Sequence, residues 1–454
     1  MTKILDAVNS IVWGAPALIL ILGVGLSLSL RLGFVQLRFF PEAVKAFCSR
    51  LFSRSRTKGA ASSFQSLCTA LAATVGTGNL VGVAGAICLG GPGAVFWIWV
   101  CGILGMVTKY AEVSLAVHYR VRTRDGFVGG PMYVITGGLG QRYRPLACCY
   151  CLFGVVAAFG VGNATQINAV IGGVNGVLTR FGREETRQGN LLMGLLLALL
   201  VGSLLFGGAK RIGAAAERLV PFAAAAYILM CVGVLVIRAE EIPAAFVAIV
   251  QGAFSPRAVT GGALGSAFTA LRTGCSRGVF TNEAGMGTAS IAHAPAEVDH
   301  PVEQGLMGIM EVFLDTILIC TLTALVILVS GVPVPYGTDA GAELTARAFC
   351  SIYGGTASIL LAAALALFAI ATILGWGLYG ARCAQYLFGP KAWKVFAFFQ
   401  TAAVIFGSVL DTAAVWQLSE TINGLMAIPN LITLAVLTPK VICLTKEYEK
   451  IRRG

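Results

Sequence analysis

An all-α polytopic membrane protein with about eleven transmembrane helices is the fold class that the sequence predicts, and three observations carry that prediction. The chain of 454 residues is 57% hydrophobic and 12% charged, with a mean hydropathy of +0.82. An average soluble domain carries about twice that charged share. Apolar runs of roughly 18 or more residues recur from one end to the other, each long enough to cross a bilayer. The 33 Lys and Arg residues fall mainly in short loops between those runs, the arrangement that sets orientation in lipid. The net charge of +12 is therefore a matter of topology and calls for no nucleic-acid partner. The 56 glycines suit helices that pack closely in a bilayer.

Taken in order, the first helix covers roughly residues 9–31. Its apolar run is long and lacks a small-residue cleavage site, so it reads as a span rather than a cleaved signal. A basic loop follows. The second helix, about 64–90, is interrupted at Gly76-Thr77-Gly78-Asn79, and Gly91-Pro92-Gly93 turns it into the third, about 92–118. The fourth to sixth cover about 147–178, 190–207 and 214–237. The seventh and eighth run over about 259–291 and 303–331, and the last three over about 354–381, 392–410 and 413–443.

Helices two to six and seven to eleven form two sets of five with opposite starting directions, each opening on a glycine-interrupted helix. The second interruption is expected at Leu271–Gly278. Interrupted helices in corresponding positions of inverted halves point to a transport site. The expected units are an N-terminal helix and basic loop (1–63), two five-helix repeats (64–238 and 239–443) and a cytoplasmic tail (444–454). Basic residues cluster after helices one, three, five, nine and eleven: seven in 31–58, five in 120–144, then Lys210, Arg211 and Arg218. The other loops carry few, and the segment after helix seven has no Lys or Arg. This places the N-terminus outside and the C-terminus in the cytoplasm of a cell inner (plasma) membrane protein.

Polar residues inside apolar runs are the candidate functional groups. Gly76-Thr77-Gly78-Asn79 has neither a preceding strand nor a Lys-Ser/Thr, so it fails as a nucleotide fingerprint. It reads as an opened turn or as a small-residue packing face, and Asn79 argues for the turn, since an amide there needs partners. The N–H groups of an opened turn favour a carboxylate, and the carbonyls from Ala72 to Val75 favour a hard cation. Lys109 and Glu112 stand three apart and are expected to pair with each other. Arg272, Arg277, Asn282, Glu283, Glu311 and Asp315 read as a network around the broken helices. Gln166 and Asn168 are interhelical glue or cavity lining, and Thr372 and Trp376 share one helix face. The thirteen cysteines and three histidines show no metal-ligand spacing.

The stretches LCTALAATVGTGNLVGVAGAICLGGPGAVFWIWV, TKYAEVSLAVHYR, GGPMYVI, RGVFTNEAGMGTASIAHA, DTILICTLTALVILVSG and ILGWGLYG resemble the alanine or glycine:cation symporter family, the sodium:alanine symporters of prokaryotes. The resemblance implies a LeuT-type fold and transport of a small amino acid with sodium as the co-transported ion. It also implies that Thr77 and Gly78 offer N–H groups to the substrate carboxylate, with Asn79 and Thr269 near a cation or the ammonium. Gln166, Phe268 and Trp376 would line the pocket, and the Ala72 and Val75 carbonyls with the Thr372 hydroxyl would hold sodium. Gly377 and Ala381 depart from the family pattern of a small polar residue and a glutamate. The rival reading is proton coupling through Glu112, Glu283, Glu311 or Asp315. A channel needs no paired breaks, and no serine–histidine, paired-aspartate or H-E-x-x-H arrangement supports an enzyme. No obligate protein partner is implied; the expected partners are the amino acid and the lipid bilayer.

Overall fold

The computed structural model describes residues 14–51, 60–123, 126–255, 267–338, 341–409 and 413–453. The expected start of the seventh helix (259–266) and part of the first basic loop (52–59) lie outside them. Helix α1 spans Ala15–Arg31 and the short amphipathic α2 Phe40–Arg50. Helix α3 (Ser63–Thr74) opens on Ser62, whose hydroxyl accepts the Gln65 N–H at 3.0 Å, a cap that satisfies one orphan donor. After the interruption the chain resumes as a π-helical turn, Gly78–Gly82, and as α4, Val83–Gly90. The two halves are bent by 52°.

Gly91, at φ +74°, ends α4, and α5 runs over Gly93–His118. A two-stranded hairpin (β1 Val121–Thr123, β2 Gly126–Val128) leads towards α6, Arg144–Phe159. A π-helical turn, Gly160–Ala164, joins α6 to α7, Thr165–Arg180. Helices α8 (Arg187–Leu205), α9 (Gly208–Ile237) and α10 (Ile242–Phe254) follow.

Next come α11, Ala267–Asn282, and α12, Thr288–His293. Helix α13 (Pro301–Val312) passes through a π-helical segment, Phe313–Cys320, into α14, Thr321–Val329. Then follow the amphipathic α15 (Gly341–Tyr353), α16 (Thr356–Phe388), α17 (Ala392–Gly407) and α18 (Ala413–Arg453). Among the described residues seven helices are long and apolar enough to span a membrane, and the bent pair α3/α4 makes an eighth. Two further apolar helices, Pro16–Arg31 and Ala392–Gly407, are shorter. The protein is thus an all-α polytopic membrane protein, although length and composition alone do not reach eleven spans. Leu192, Leu199 and Leu229 are 60%, 73% and 71% exposed, which marks α8 and α9 as lipid-facing.

Two expectations change. The break placed at Leu271–Gly278 is not there: α11 continues through it and ends at Asn282. Gly274 and Gly278 are packing positions instead. A Cβ on Gly274 would lie 2.2 Å from the Ala94 carbonyl oxygen, and one on Gly278 3.0 Å from Cys101 Cβ, so both let α11 approach α5. The last helix, expected to end near 443, continues as α18 through 444–453. Arg38 pairs with Glu449 at 2.7 Å, Arg452 with Glu42 at 2.5 Å, and the Tyr110 and Thr445 hydroxyls meet at 2.8 Å.

Among the described residues the closest approach of this kind joins α5 to α10, where a Cβ on Gly93 would fall 2.0 Å from the Gly252 carbonyl carbon. No rotamer relieves a clash with backbone. Gly93→Ala is expected to destabilise by about 1–3 kcal/mol or more, seen as a lower thermal unfolding midpoint of the detergent-solubilised protein.

Candidate functional site

The first break is built by exchanging hydrogen-bond partners. In a continuous helix the Gly76 and Asn79 N–H groups would serve the Ala72 and Val75 carbonyls. Val75 instead turns extended, at ψ 103°. The Gly76 N–H donates to Asn79 Oδ1 at 2.9 Å, and the Asn79 N–H donates to the Gly76 carbonyl at 3.3 Å. The Ala72 and Val75 carbonyls lose their helical donors. Asn79 is held from the other side: its Nδ2 donates to the Asp315 carbonyl at 3.0 Å and to Asp315 Oδ1 at 2.8 Å. Both amide hydrogens of Asn79 have their acceptors there, so this residue shapes the break.

Thr372 on α16 faces the opened turn. A Cβ on Gly76 would stand 2.7 Å from Thr372 Oγ1. That hydroxyl is buried and has no hydrogen-bond partner among the described residues. A buried polar atom without a partner is costly, and released carbonyls beside it make an all-oxygen set suited to a hard cation. The end of α3 adds the negative end of a helix dipole. On the other flank Thr77 Oγ1 donates to Gln166 Oε1 at 3.3 Å, while Gln166 Nε2 donates to the Val161 carbonyl at 3.1 Å, within the π-helical turn. Gly78 faces α11, where its Cβ would meet Thr281 Oγ1 at 3.4 Å.

The second break lies at 283–287, where Glu283, Gly285 and Gly287 all adopt positive φ (53°, 95° and 76°). Its freed N–H groups are taken by a carboxylate from α5: Gly285 and Gly287 donate to Glu112 Oε1 at 2.9 and 3.1 Å. Asn430 on α18 donates to the same oxygen at 2.6 Å and to the Gly285 carbonyl at 2.8 Å. Glu283 accepts from Thr288 Oγ1 at 2.5 Å and from Trp376 Nε1 at 3.0 Å.

Lys109 does not pair with Glu112. Its ammonium donates to Glu311 Oε1 at 3.1 Å, and His293 Nε2 meets Glu311 Oε2 at 3.1 Å. His293 Nδ1 in turn faces Gln304 Nε2 at 2.7 Å, and Gln304 Oε1 accepts from Ser63 Oγ at 2.5 Å. The reason is geometric: Glu112 serves the backbone of the second break, which leaves Lys109 to the carboxylate of α13. The chain of bonds reaches from α5 through α13 and α12 to the start of α3.

Gly76, Thr77, Gln166 and Thr372 therefore meet at one place, with Asn79 beneath them and Gly78 turned to α11. Trp376, one turn beyond Thr372, is fully buried and touches the second break; Gly162 makes room for it, since a Cβ there would lie 2.2 Å from Trp376 Cβ. Phe268 and Thr269 are not brought to this place. They sit on the first turn of α11, about 20 Å along a continuous helix from Thr281, and Phe268 is 57% exposed. Arg272 is likewise exposed on α11 and flanks no break. At the end of α11 stand instead Phe280 and Thr281, which the sequence reading did not single out: the same Phe-Thr pair recurs directly before Asn282-Glu283, and that repetition was the available signal. Phe280 packs against the core that contains Trp376. Asn430 gave no local signal at all.

Removing one partner of a buried ion pair costs more than removing both, because the survivor stays charged and dry. Lys109→Met is expected to lower stability by about 3–5 kcal/mol, seen as a drop in unfolding midpoint, with Lys109→Met/Glu311→Gln recovering most of it.

A model of the sodium:alanine symporter family matches residues 1–454. An uncharacterized transporter of Haemophilus influenzae is 44% identical over 98% of this chain and 96% of its own length. The sodium/alanine symporter AgcS of Methanococcus maripaludis is 42% identical over 100% of this chain and 98% of its own. The solved structure of MhsT in complex with L-phenylalanine shares the fold alone, at a TM-score of 0.56 and 15% identity over 84% of this chain and 97% of that one. This is the LeuT-type fold, and with relatives this alike along their whole length the chain belongs to the sodium:alanine symporter family.

Proposed function

We propose that this protein is a sodium-coupled symporter that brings small neutral amino acids, alanine or glycine, into the cell by alternating access. The observation that carries the reading is the first break: two carbonyls released from helical pairing beside a buried, unpartnered hydroxyl. Sodium would sit on the Ala72 and Val75 carbonyls and Thr372 Oγ1. The substrate carboxylate would take the Thr77 and Gly78 N–H groups at the start of the resumed helix, where the dipole favours an anion. Phe280 and Thr281 take the pocket roles that Phe268 and Thr269 were expected to fill. With Gln166 and Trp376 they leave room for a hydrogen or a methyl group on the substrate.

The alternation of basic loops supports an outside N-terminus and a cytoplasmic C-terminus in the cell inner membrane. The two broken helices, each opening a set of five, support division into repeats over 64–238 and 239–443. Proton coupling is the second reading, and Glu112 favours it: its Oε2 is buried without a hydrogen-bond partner among the described residues.

In proteoliposomes Thr372→Val is expected to raise the sodium concentration for half-maximal alanine uptake about tenfold or more, the loss of one charge–oxygen contact. Unchanged sodium dependence would place the ion elsewhere, and full uptake on a proton gradient alone would favour the second reading. Thr281→Val is expected to cost alanine uptake about tenfold, whereas Phe268→Ala should change it less than about twofold, as for an exposed position. The opposite order would return the pocket to the start of α11.

A further inference from the structure

On the outer face of the bundle a groove of about 310 Å³ runs between α1 and α18. Every fourth residue of α1 lines it, Ile19, Gly23, Ser27 and Arg31, with Ala435 and Thr438 opposite on α18. That spacing sets the four on one helix ridge, in the order apolar, open, hydroxyl, cation. A Cβ on Gly23 would meet no atom within 4 Å, whereas one on Gly25 would lie 3.1 Å from Leu104 Cβ. Gly25 thus lets α1 approach α5, and Gly23 leaves space on the outside. Leu26 and Leu30 on α1 and Ile432 and Val436 on α18 are exposed nearby, which marks the face as lipid-facing. Deeper in, Leu28 joins Leu434 and Leu437 in one packed core, so the groove has a closed floor.

Length and charge select the occupant. Twelve residues separate Ile19 from Arg31, about 18 Å of helix, against about 15 Å for one leaflet's share of the hydrocarbon core. Arg31 is exposed in the last turn of α1. Two acids of the neighbouring segments are already taken, Glu42 by Arg452 and Glu449 by Arg38. Arg31 makes no ion pair among the described residues. The proposed orientation puts this end of α1 at the cytoplasmic leaflet, where anionic lipids give the surface its negative potential. A second copy of the chain fits less well, because a two-fold pair through this ridge would set Arg31 beside Arg31.

We propose that this groove holds one anionic phospholipid, its headgroup phosphate on Arg31 and Ser27 and one acyl chain laid over Gly23 towards Ile19. The site stands apart from both opened turns and needs neither the ion nor the amino acid assigned above. The lipid fills the gap between α1 and the helix that brings Asn430 to the second break, eight residues or about 12 Å from Thr438.

The test titrates the full chain, purified in a neutral detergent, with phosphatidylglycerol or phosphatidylcholine of the same acyl chains, and counts bound lipid by native mass spectrometry. The first phosphatidylglycerol is expected to be retained at concentrations where phosphatidylcholine is not. Arg31→Gln should weaken its binding about fivefold, the loss of one cation beside an anionic headgroup, and leave phosphatidylcholine unchanged. Lys391→Gln, at an exposed cation before α17, should change neither. Gly23→Leu adds a side chain in open space and should remove the retained lipid without lowering the unfolding midpoint. Should it fail to fold, Ser27→Leu fills the same ridge from an exposed position. Glycerol 1-phosphate, a headgroup without chains, should not displace the lipid. Equal retention of the two lipids, or an effect of Lys391→Gln as large as that of Arg31→Gln, would mean bulk lipid only and overturn the proposal. Binding indifferent to both Arg31→Gln and the filled ridge would overturn it as well. Displacement by glycerol 1-phosphate would reduce the site to an anion site, and a dimer that Gly23→Leu dissolves would give the groove to a second copy; either result overturns the lipid assignment.

Discussion

The Asn79 side chain, held between the Gly76 N–H and Asp315, is the contact on which the rest of the arrangement depends. A helix in lipid keeps its shape because every backbone donor has an acceptor one turn away and no water stands ready to replace it. Opening it therefore requires a substitute for each donor before any carbonyl can be given to a ligand. Asn79 supplies that substitute within the chain, and Asp315 keeps the amide from turning away. The second break follows the same rule with a different group, Glu112 reaching from α5 to the Gly285 and Gly287 N–H groups. In both places the polar side chain serves the backbone.

The remaining buried charges obey a related condition. A lysine and a carboxylate removed from water recover their desolvation cost only if each remaining hydrogen-bonding position is also filled. Glu311 meets that condition, with Lys109 on one oxygen and His293 on the other. Since Gln304 and Ser63 continue the chain to the first turn of α3, the network fastens α3 and α12, one half of each broken helix, to α13. A parallel bridge between Ala61 and Ala296 joins the segment before α3 to the one after α12 through the backbone. These contacts make the two half-helices one body at that end.

The first break was legible because Gly76-Thr77-Gly78-Asn79 sets glycines and an amide in a run that otherwise has no use for them. The second was legible in kind but not in place. Gly274 and Gly278 have the spacing of a helix interface and also the look of an interruption; only the closeness of Ala94 and Cys101 on α5 decides between the two. The true break is carried by Glu283 at positive φ, a residue type that rarely adopts it. Moving the break by about three turns left Phe268 and Thr269 far from both opened turns. Lys109 and Glu112 illustrate a further limit: helical spacing makes neighbours available but does not rank them against partners on other helices. Asn430 stands 318 positions from Glu112, and no local pattern announces such a contact.

Helix α16 places Thr372 against the first opened turn and the Trp376 indole against the second, four residues apart on one unbroken rod. A single turn of α-helix is about 5.4 Å long and stiff along its axis. An occupant of the first turn that pulled on Thr372 would therefore displace Trp376 by a similar amount, and with it the Glu283 carboxylate at the second. Two ligands that each drew on this rod would report to one another without touching, and linkage would make the effect mutual: each would change the other's affinity by the same factor. In the proposed symport, coupling between ion and solute would then follow from the spacing of these two side chains, with no signal passing through the rest of the bundle.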